Sequence, residues 1–527
     1  MTFEGELKKL YQFDKIYNVA DFFSLPSSSL YRTLYNLKQE TFADNQRFIF
    51  FCQNNIDKQQ LIYFFNKLQE CLDFIDIGNF FVLVVGSDYS IPDMLEQARV
   101  NKSVNTSPIG FYYCEDANSY PDITYSAILN LPETICAQPW ISLDITTRGE
   151  FKPCCFYRGV FANDGVPFHV ERNTLKEVYY SNAMRTLRQD FLSGQKPPGC
   201  VRCWKEEADK TVSKRRLLKH RMPESYDADW EIEDFKNIKF VSLAFGNVCN
   251  LKCRICSSGN SSRIAEEAIR FNKGMIDKKS HPAYKAIQQG KWVNNDNPIL
   301  WDELEDPESG ILYFDLAGGE PMLSKRHFEF IAKLVRSGRS KDISIHYNTN
   351  GTIFPEKYVQ LFSKFKRMEI AISIDNIDSR FDYERSGADW SEVKENVKKY
   401  LAMQGGTVEI ALHLVINIQN VYYLPEIFDW IGSQDFTSVY CGTLYYPEYL
   451  NISAVTKEAR DLLLHRLIAY KAPNDHLQSF IDNTIGILND ASLSTGVEFC
   501  RYMKKLDSAR NESFAKLYPE VARAMGY

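Results

Sequence analysis

Six short apolar runs follow one another between Asn237 and Tyr446: "IKFVSLAFG", "ILYFDLAGG", "DISIHYNTNG", "RMEIAISIDN", "TVEIALHLVIN" and "FTSVYCGTLYY". They are strand-length and rich in β-branched and aromatic residues. The stretches between them change period. In "RHFEFIAKLVRSG" and "WSEVKENVKKYLAMQG" the apolar residues recur at helical spacing. Six strand–helix units in series predict a parallel sheet, open or curled into a barrel. Upstream, "RFIFFC" (Arg47–Cys52) and "NFFVLVVGS" (Asn79–Ser87) read as buried strands with helical spacing from Asp57 to Phe74 between them, and "IGFYYCE" as a third strand. The expected organisation is a small α/β domain over 1–128 without a catalytic motif, a turn-rich cysteine module over 129–222, the barrel-like region over 236–448 and a helical region over 449–527.

Composition narrows the function classes. The chain has 527 residues, 44% hydrophobic and 25% charged, which suits several globular domains. A net charge of −6 argues against a general nucleic-acid binder. No apolar run approaches the roughly 20 residues of a membrane span, and "MTFEGELKKLYQFDKIYNV" lacks a signal peptide's apolar stretch, so a cytoplasmic protein is expected. In a reducing compartment, clustered cysteines bind metal or do redox chemistry more often than they form disulfides. Eight of the thirteen cysteines fall in two clusters; Cys52, Cys71, Cys114, Cys441 and Cys500 are scattered and read as small buried hydrophobes.

The first cluster is "NVCNLKCRIC", with Cys249, Cys253 and Cys256 directly after the first barrel strand. Loops after the strands form the active face of such sheets. A structural zinc site wants four closed ligands. Three thiolates suit a [4Fe–4S] cluster with one iron left open. Cys249-x3-Cys253-x2-Cys256 resembles the signature of the radical S-adenosylmethionine (radical SAM) superfamily, although Ile255 stands where the family usually has an aromatic residue. The resemblance implies that SAM chelates the open iron and is reductively cleaved to a 5′-deoxyadenosyl radical. Further motifs match in family order, each at a predicted strand end. "AGGEP" supplies Gly318, Gly319, Glu320 and Pro321, where the family holds the SAM amino group. "NTNG" supplies Asn348 and Asn350. "SID" supplies Ser373 and Asp375 for the ribose or carboxylate, Arg385 in "YERSG" fits the arginine that pairs with the SAM carboxylate, and Val415 in "LHLVIN" lies where relatives pack against adenine. The implied fold is α/β, a partial (βα)6 radical SAM barrel.

The second cluster holds Cys136, Cys154, Cys155, Cys200 and Cys203. Cys200-x2-Cys203 alone reads as half of a zinc site. The full pattern, with four residues between Gly149 and Cys154, resembles the auxiliary-cluster module called SPASM or, in its shorter form, twitch. That resemblance implies a closed auxiliary [4Fe–4S] cluster on Cys136, Cys154, Cys200 and Cys203, with Cys155 the alternative to Cys154 and structural zinc the alternative to iron–sulfur. In most relatives this module follows the barrel; here it precedes it.

The expected function is abstraction of a hydrogen atom from a peptide or protein substrate, with electrons from a reductant such as flavodoxin or ferredoxin. Oxidation of a small-molecule alcohol is the alternative within the family. A non-catalytic iron–sulfur or zinc protein, carrying electrons or binding a partner, is the alternative outside it.

Overall fold

The structure is a computed structural model. It describes the backbone of four N-terminal strands, together with residues 132 and 134–527 except 209–212, 217–233, 272–276, 295–297, 308 and 492. The N-terminal strands Lys15–Asn18, Phe48–Cys52, Phe80–Val85 and Gly110–Cys114 form one parallel sheet in chain order. Three of them are the strands expected there. The helix expected over Asp57–Phe74 lies outside the described residues.

The chain divides into two compact units. One comprises Met1–Ile141, Phe156–Arg158 and Arg185–Glu233; the other comprises Ser142–Cys155, Gly159–Met184 and Asp234–Tyr527. The second is built on one large sheet. Its six central strands are β1 (Phe240–Ala244), β2 (Tyr313–Ala317), β3 (Ser344–Thr349), β4 (Arg367–Ser373), β5 (Val408–Ile416) and β6 (Ser438–Thr443). They pair in parallel in chain order, and helices fill the connections, as the alternating pattern predicts. A seventh parallel strand, Ser142–Ile145, pairs with β1, and Phe151–Lys152 adds a short antiparallel edge. The sheet therefore begins inside the cysteine-rich segment. The sequence pattern does not reveal this, because "ISLDI" is short and its partner lies about a hundred residues away.

Side chains alternate between the two faces of each strand. Phe314 on β2 packs edge-on against Phe330 of the helix Lys325–Arg336, with ring centroids 5.1 Å apart. His327 of the same helix meets the Tyr347 hydroxyl at 2.5 Å. Burial holds His327 neutral, with its pKa lowered to about 3. That face, with Val241, Leu243, Leu316, Ile345, Ile370, Leu412 and Leu414, is the buried apolar core. The intervening residues point the other way and include Asp315, His346, Asn348, Glu369, Ser373 and His413. The second unit ends in the helices Lys457–Ile468, Asp475–Asn489 and Val497–Arg510 and two short ones, in place of the two or three expected. Among the described residues no helix is long and apolar enough to cross a membrane.

Candidate active site at the strand ends

The loop after β1 is folded by its own polar groups before any cofactor is considered. Gly246 has φ +68°, and a Cβ there would meet the Gly290 carbonyl. Buried Asn247 donates to the Ala286 carbonyl at 3.0 Å. The Ser262 hydroxyl accepts from the Cys249 amide at 3.3 Å, and Ser261 donates to the Leu251 carbonyl at 2.8 Å. Lys252–Cys253 then pairs antiparallel with Arg385–Ser386, setting Cys253 opposite Arg385. The ladder brings together two motifs that are more than a hundred residues apart in sequence.

The Gly318–Gly319 pair closes on the same loop. Gly318 has φ +130°, and a Cβ on Gly319 would lie 2.1 Å from the Val248 carbonyl. Their immediate neighbour is the cysteine loop itself: Gly319 N donates to Gly246 O and Glu320 N to Val248 O. Glu320 is buried. Its carboxylate accepts from Met322 N (3.0 Å), the Thr349 hydroxyl (2.8 Å) and Asn350 N (2.7 Å). Burial pushes its pKa up, and these donors partly offset that. The Asn350 side chain donates to Asn250 at 3.0 Å, and Asn250 donates to Thr352 at 2.9 Å. A chain of contacts thus runs from the cysteine loop through "GGEP" to "NTNG".

Asp375 and Arg385 form a buried pair, with Nη2 2.7 Å from Oδ2. Asp375 also accepts from Val415 N at 3.0 Å, which ties "SID", "YERSG" and "LHLVIN" together. Burial opposes the Arg385 charge, yet Asp375 and Cys253 hold its pKa above the usual value. Its Nε is buried and has no partner. Asn348 accepts from the His413 ring at 3.2 Å. Ser373 sits opposite His413 in the β4–β5 register. Gly318, Gly319, Glu320, Asn348, Asn350, Ser373, Asp375 and Val415 lie at or just past strand ends of the large sheet, and Cys253 and Arg385 lie on the short ladder that meets it through the Asp375–Arg385 pair.

The donors fit an iron–sulfur cluster and SAM. Burial raises the Cys249 pKa and pushes Cys253 up to about 12 and Cys256 to about 11. Such thiols become thiolates only where a cation compensates, and iron supplies that compensation. The Leu251 amide donates to Cys249 Sγ at 3.4 Å, the kind of hydrogen bond that tunes cluster sulfurs. The orphaned Arg385 Nε offers a donor suited to a carboxylate.

Two family models match. Residues 243–431 match that of the radical SAM superfamily. They form a radical SAM domain. The model of an iron–sulfur cluster-binding domain, SPASM, matches residues 136–204, ahead of the radical SAM domain as the motif order implied. Together they bring a SAM-binding [4Fe–4S] cluster, SAM and auxiliary iron–sulfur chemistry, and radical SAM proteins are enzymes. Among curated proteins the chain is similar to the GTP 3′,8-cyclase of Syntrophomonas wolfei, 23% identical over 197 residues (37% of this chain, 51% of that one). It is also similar to the probable GTP 3′,8-cyclase of Methanococcus aeolicus, 28% identical over 123 residues (23% of this chain, 40% of that one). Among solved structures it is similar to anSMEcpe with bound AdoMet and Cp18Cys peptide, 17% identical, TM-score 0.28, covering 44% of this chain and 58% of that one. A second is Streptococcus suis SuiB bound to precursor peptide SuiA, 13% identical, TM-score 0.29, covering 59% and 61%. The chain spans less than two thirds of each of these proteins.

In the SPASM region, Cys136 and Cys203 are buried, Cys154 and Cys200 are partly exposed and Cys155 is exposed. Cys136, Cys200 and Cys203 fall in the first compact unit, and Cys154 and Cys155 in the second. Gly149 has φ +79° and turns the chain between the strands Ser142–Ile145 and Phe151–Lys152. Gly199 lies so close to the Tyr157 ring that a Cβ would overlap it.

Several polar groups at the site escaped the motifs. The sheet face away from the helices carries Glu369, which accepts from the His346 ring at 2.6 Å and the Tyr440 hydroxyl at 2.7 Å. Burial would raise its pKa, but these partners and Arg367 lower it to about 2. Burial, and then His346, lowers the His413 pKa. Asp315 has a buried carboxylate oxygen without a partner. Strand alternation placed all of these on one face in the sequence, but nothing there distinguishes that face from solvent.

Glu384 makes a measurable prediction. Burial first, then Asp375, raises its pKa to about 8. Asn376 and Tyr518 bond one oxygen, and the other has no partner. An acid with a raised folded pKa contributes its stability fully below its unfolded pKa and loses it as pH rises through the folded value. Between about pH 4.5 and 8, wild type should therefore lose ~1.4 kcal/mol per pH unit relative to Glu384→Gln. Thermal or denaturant melts of both proteins across that window should diverge; parallel curves would refute the ionisation.

Proposed function

We propose that the chain is a peptide- or protein-modifying radical SAM enzyme, with Cys249, Cys253 and Cys256 holding the SAM-binding cluster and Cys136, Cys154, Cys200 and Cys203 the auxiliary one. The observation that carries the site assignment is the closure of the cysteine loop, "GGEP", "NTNG" and the Asp375–Arg385 pair into one bonded network at the strand ends. When bound, the cluster and SAM supply a 5′-deoxyadenosyl radical that removes a hydrogen atom from substrate. The chain's own part is to bind and orient. Glu320, already fixed by three donors, has one carboxylate lone-pair site left for an ammonium. Arg385, fixed through Nη2, has Nε left for a carboxylate. Val415 lies beside them with its amide committed to Asp375. Asp315, His346, His413 and Tyr440 line the sheet face on which substrate would lie. The half-buried Cys154 is preferred over the exposed Cys155 as ligand because a cluster ligand must be drawn out of water. The abundance of clustered thiols suits a cytoplasmic protein served by a flavodoxin or ferredoxin.

The peptide preference rests on the SPASM-type module, whose relatives often modify ribosomally made peptides. A nucleotide substrate, as in the GTP 3′,8-cyclases, is the second reading, favoured by the curated relatives. The test is anaerobic reconstitution with SAM and dithionite, measuring 5′-deoxyadenosine with candidate precursor peptides and with GTP. Mass change in a peptide supports the first reading, and conversion of GTP the second. For SAM binding, Glu320→Gln should weaken affinity about 10- to 150-fold, the loss of a charged hydrogen bond worth roughly 1.5–3 kcal/mol. Iron content should stay near wild type. Unchanged affinity by equilibrium dialysis would remove Glu320 from the site.

A further inference from the structure

Arg254 lies between two of the three loop cysteines, and its side chain is 0% exposed. Its amide donates to the Glu384 carbonyl at 2.8 Å, and its Nε to the Tyr383 carbonyl at 3.1 Å. The guanidinium stacks 3.7 Å above the Tyr383 ring. Nη2 meets two carboxylates, Asp507 at 2.8 Å and Glu512. These carboxylates lie 253 and 258 residues further along the chain. Asp507 is itself held by the Tyr383 and Tyr527 hydroxyls and by Phe514 N. Glu512 also accepts from Ser386 at 2.9 Å, one residue beyond the Arg385 that pairs with Cys253. Arg510 adds a second grip, donating to the Lys252 carbonyl at 3.0 Å while paired with Glu267.

A buried cation in this loop has an electrical consequence. Positive charge near an iron–sulfur cluster stabilises the reduced form, raises the reduction potential and weakens the cluster as an electron donor. Here two carboxylates face Arg254, while Lys252 and Arg510 share only Glu267, so Asp507 and Glu512 are what keep the cations bonded to this loop from leaving it with a net positive charge. We infer that Asp507 and Glu512, acting on Arg254, are positioning residues that brace the cysteine loop from behind and hold the reduction potential of its cluster low. This deepens the reading that Cys249, Cys253 and Cys256 hold that cluster. It gives the C-terminal helical region, to which no motif assigned a role, a part in electron delivery.

The experiment is a redox titration of the full-length holoprotein followed by electron paramagnetic resonance. The barrel cluster's signal is the one that shifts on adding SAM and is lost in Cys253→Ala. Asp507→Asn and Glu512→Gln should each raise the midpoint potential of that signal, with iron per chain unchanged. The double variant Arg254→Gln/Asp507→Asn removes one charge of each sign. Its potential should return towards wild type although more of the network is broken, which a merely structural role would not produce. Unchanged potentials in both single variants, or a double variant displaced further than Asp507→Asn, would overturn the inference. If Asp507→Asn does not fold, Glu512→Gln, whose side chain is 23% exposed, decides alone. A SAM-shifted signal that persists in Cys253→Ala refutes the ligand assignment instead, so the two failures are distinguishable.

Discussion

Replacing any one of Cys249, Cys253 and Cys256 with alanine is expected to abolish 5′-deoxyadenosine formation. Each removal opens a second iron of the cluster, and the loop offers no substitute. The sulfurs are also not interchangeable. Cys253 is fixed by its ladder with Arg385, Cys249 by the Leu251 amide, and Cys256 by a turn back to the Cys253 carbonyl. The assay is anaerobic product analysis with dithionite, alongside iron content per chain. Product formation at the wild-type rate in any of the three would remove that cysteine from the ligand set.

The second large effect is expected from Cys200→Ala/Cys203→Ala. A cluster closed by four cysteines leaves SAM no iron to chelate, so cleavage of SAM needs only the barrel cluster. The double variant should lose about four of about eight irons. It should still form 5′-deoxyadenosine slowly and should no longer convert substrate. Cys203 is buried, and burial raises its thiol pKa. A metal site's binding energy can be folding energy, so the variant also tests a folding role for this site. Circular dichroism on the purified variant separates the two roles. A folded variant that has lost those irons yet converts substrate at the wild-type rate would exclude a catalytic role for the auxiliary cluster.

How much of this was legible in the sequence differs from residue to residue. The barrel strands were, because runs such as "RMEIAIS" are apolar on the helix side and bounded by turn residues. So were the strand-end motifs, because each combines a conformational demand with a charge: Gly318 and Gly319 for close approach, Glu320 for hydrogen bonding. What pairs with what was not. Arg254 looks like a solvated loop charge until Asp507 and Glu512 arrive from the far end of the chain. Arg385 suggested a contact to SAM, and its partner within the chain is Asp375. Strand Ser142–Ile145 is too short to announce itself, and its place in the large sheet depends on a non-local parallel pairing that carries no local signal.

That strand bears on how the chain can be divided. A fragment cut at the apparent boundary near Asn237 would leave β1 as an exposed edge, its amide and carbonyl groups unpaired along "FVSLA". An edge of that kind recruits another strand, most readily from a second copy of the same fragment. A cut where the barrel's own motifs begin removes the strand that covers its first strand, because that cover is supplied by the segment between Cys136 and Cys154. An insertion between these cysteines would disturb the sheet that carries the strand-end motifs as well as the SPASM region. Fusions and domain exchanges with relatives that place the SPASM module after the barrel would need to provide a replacement for this one strand.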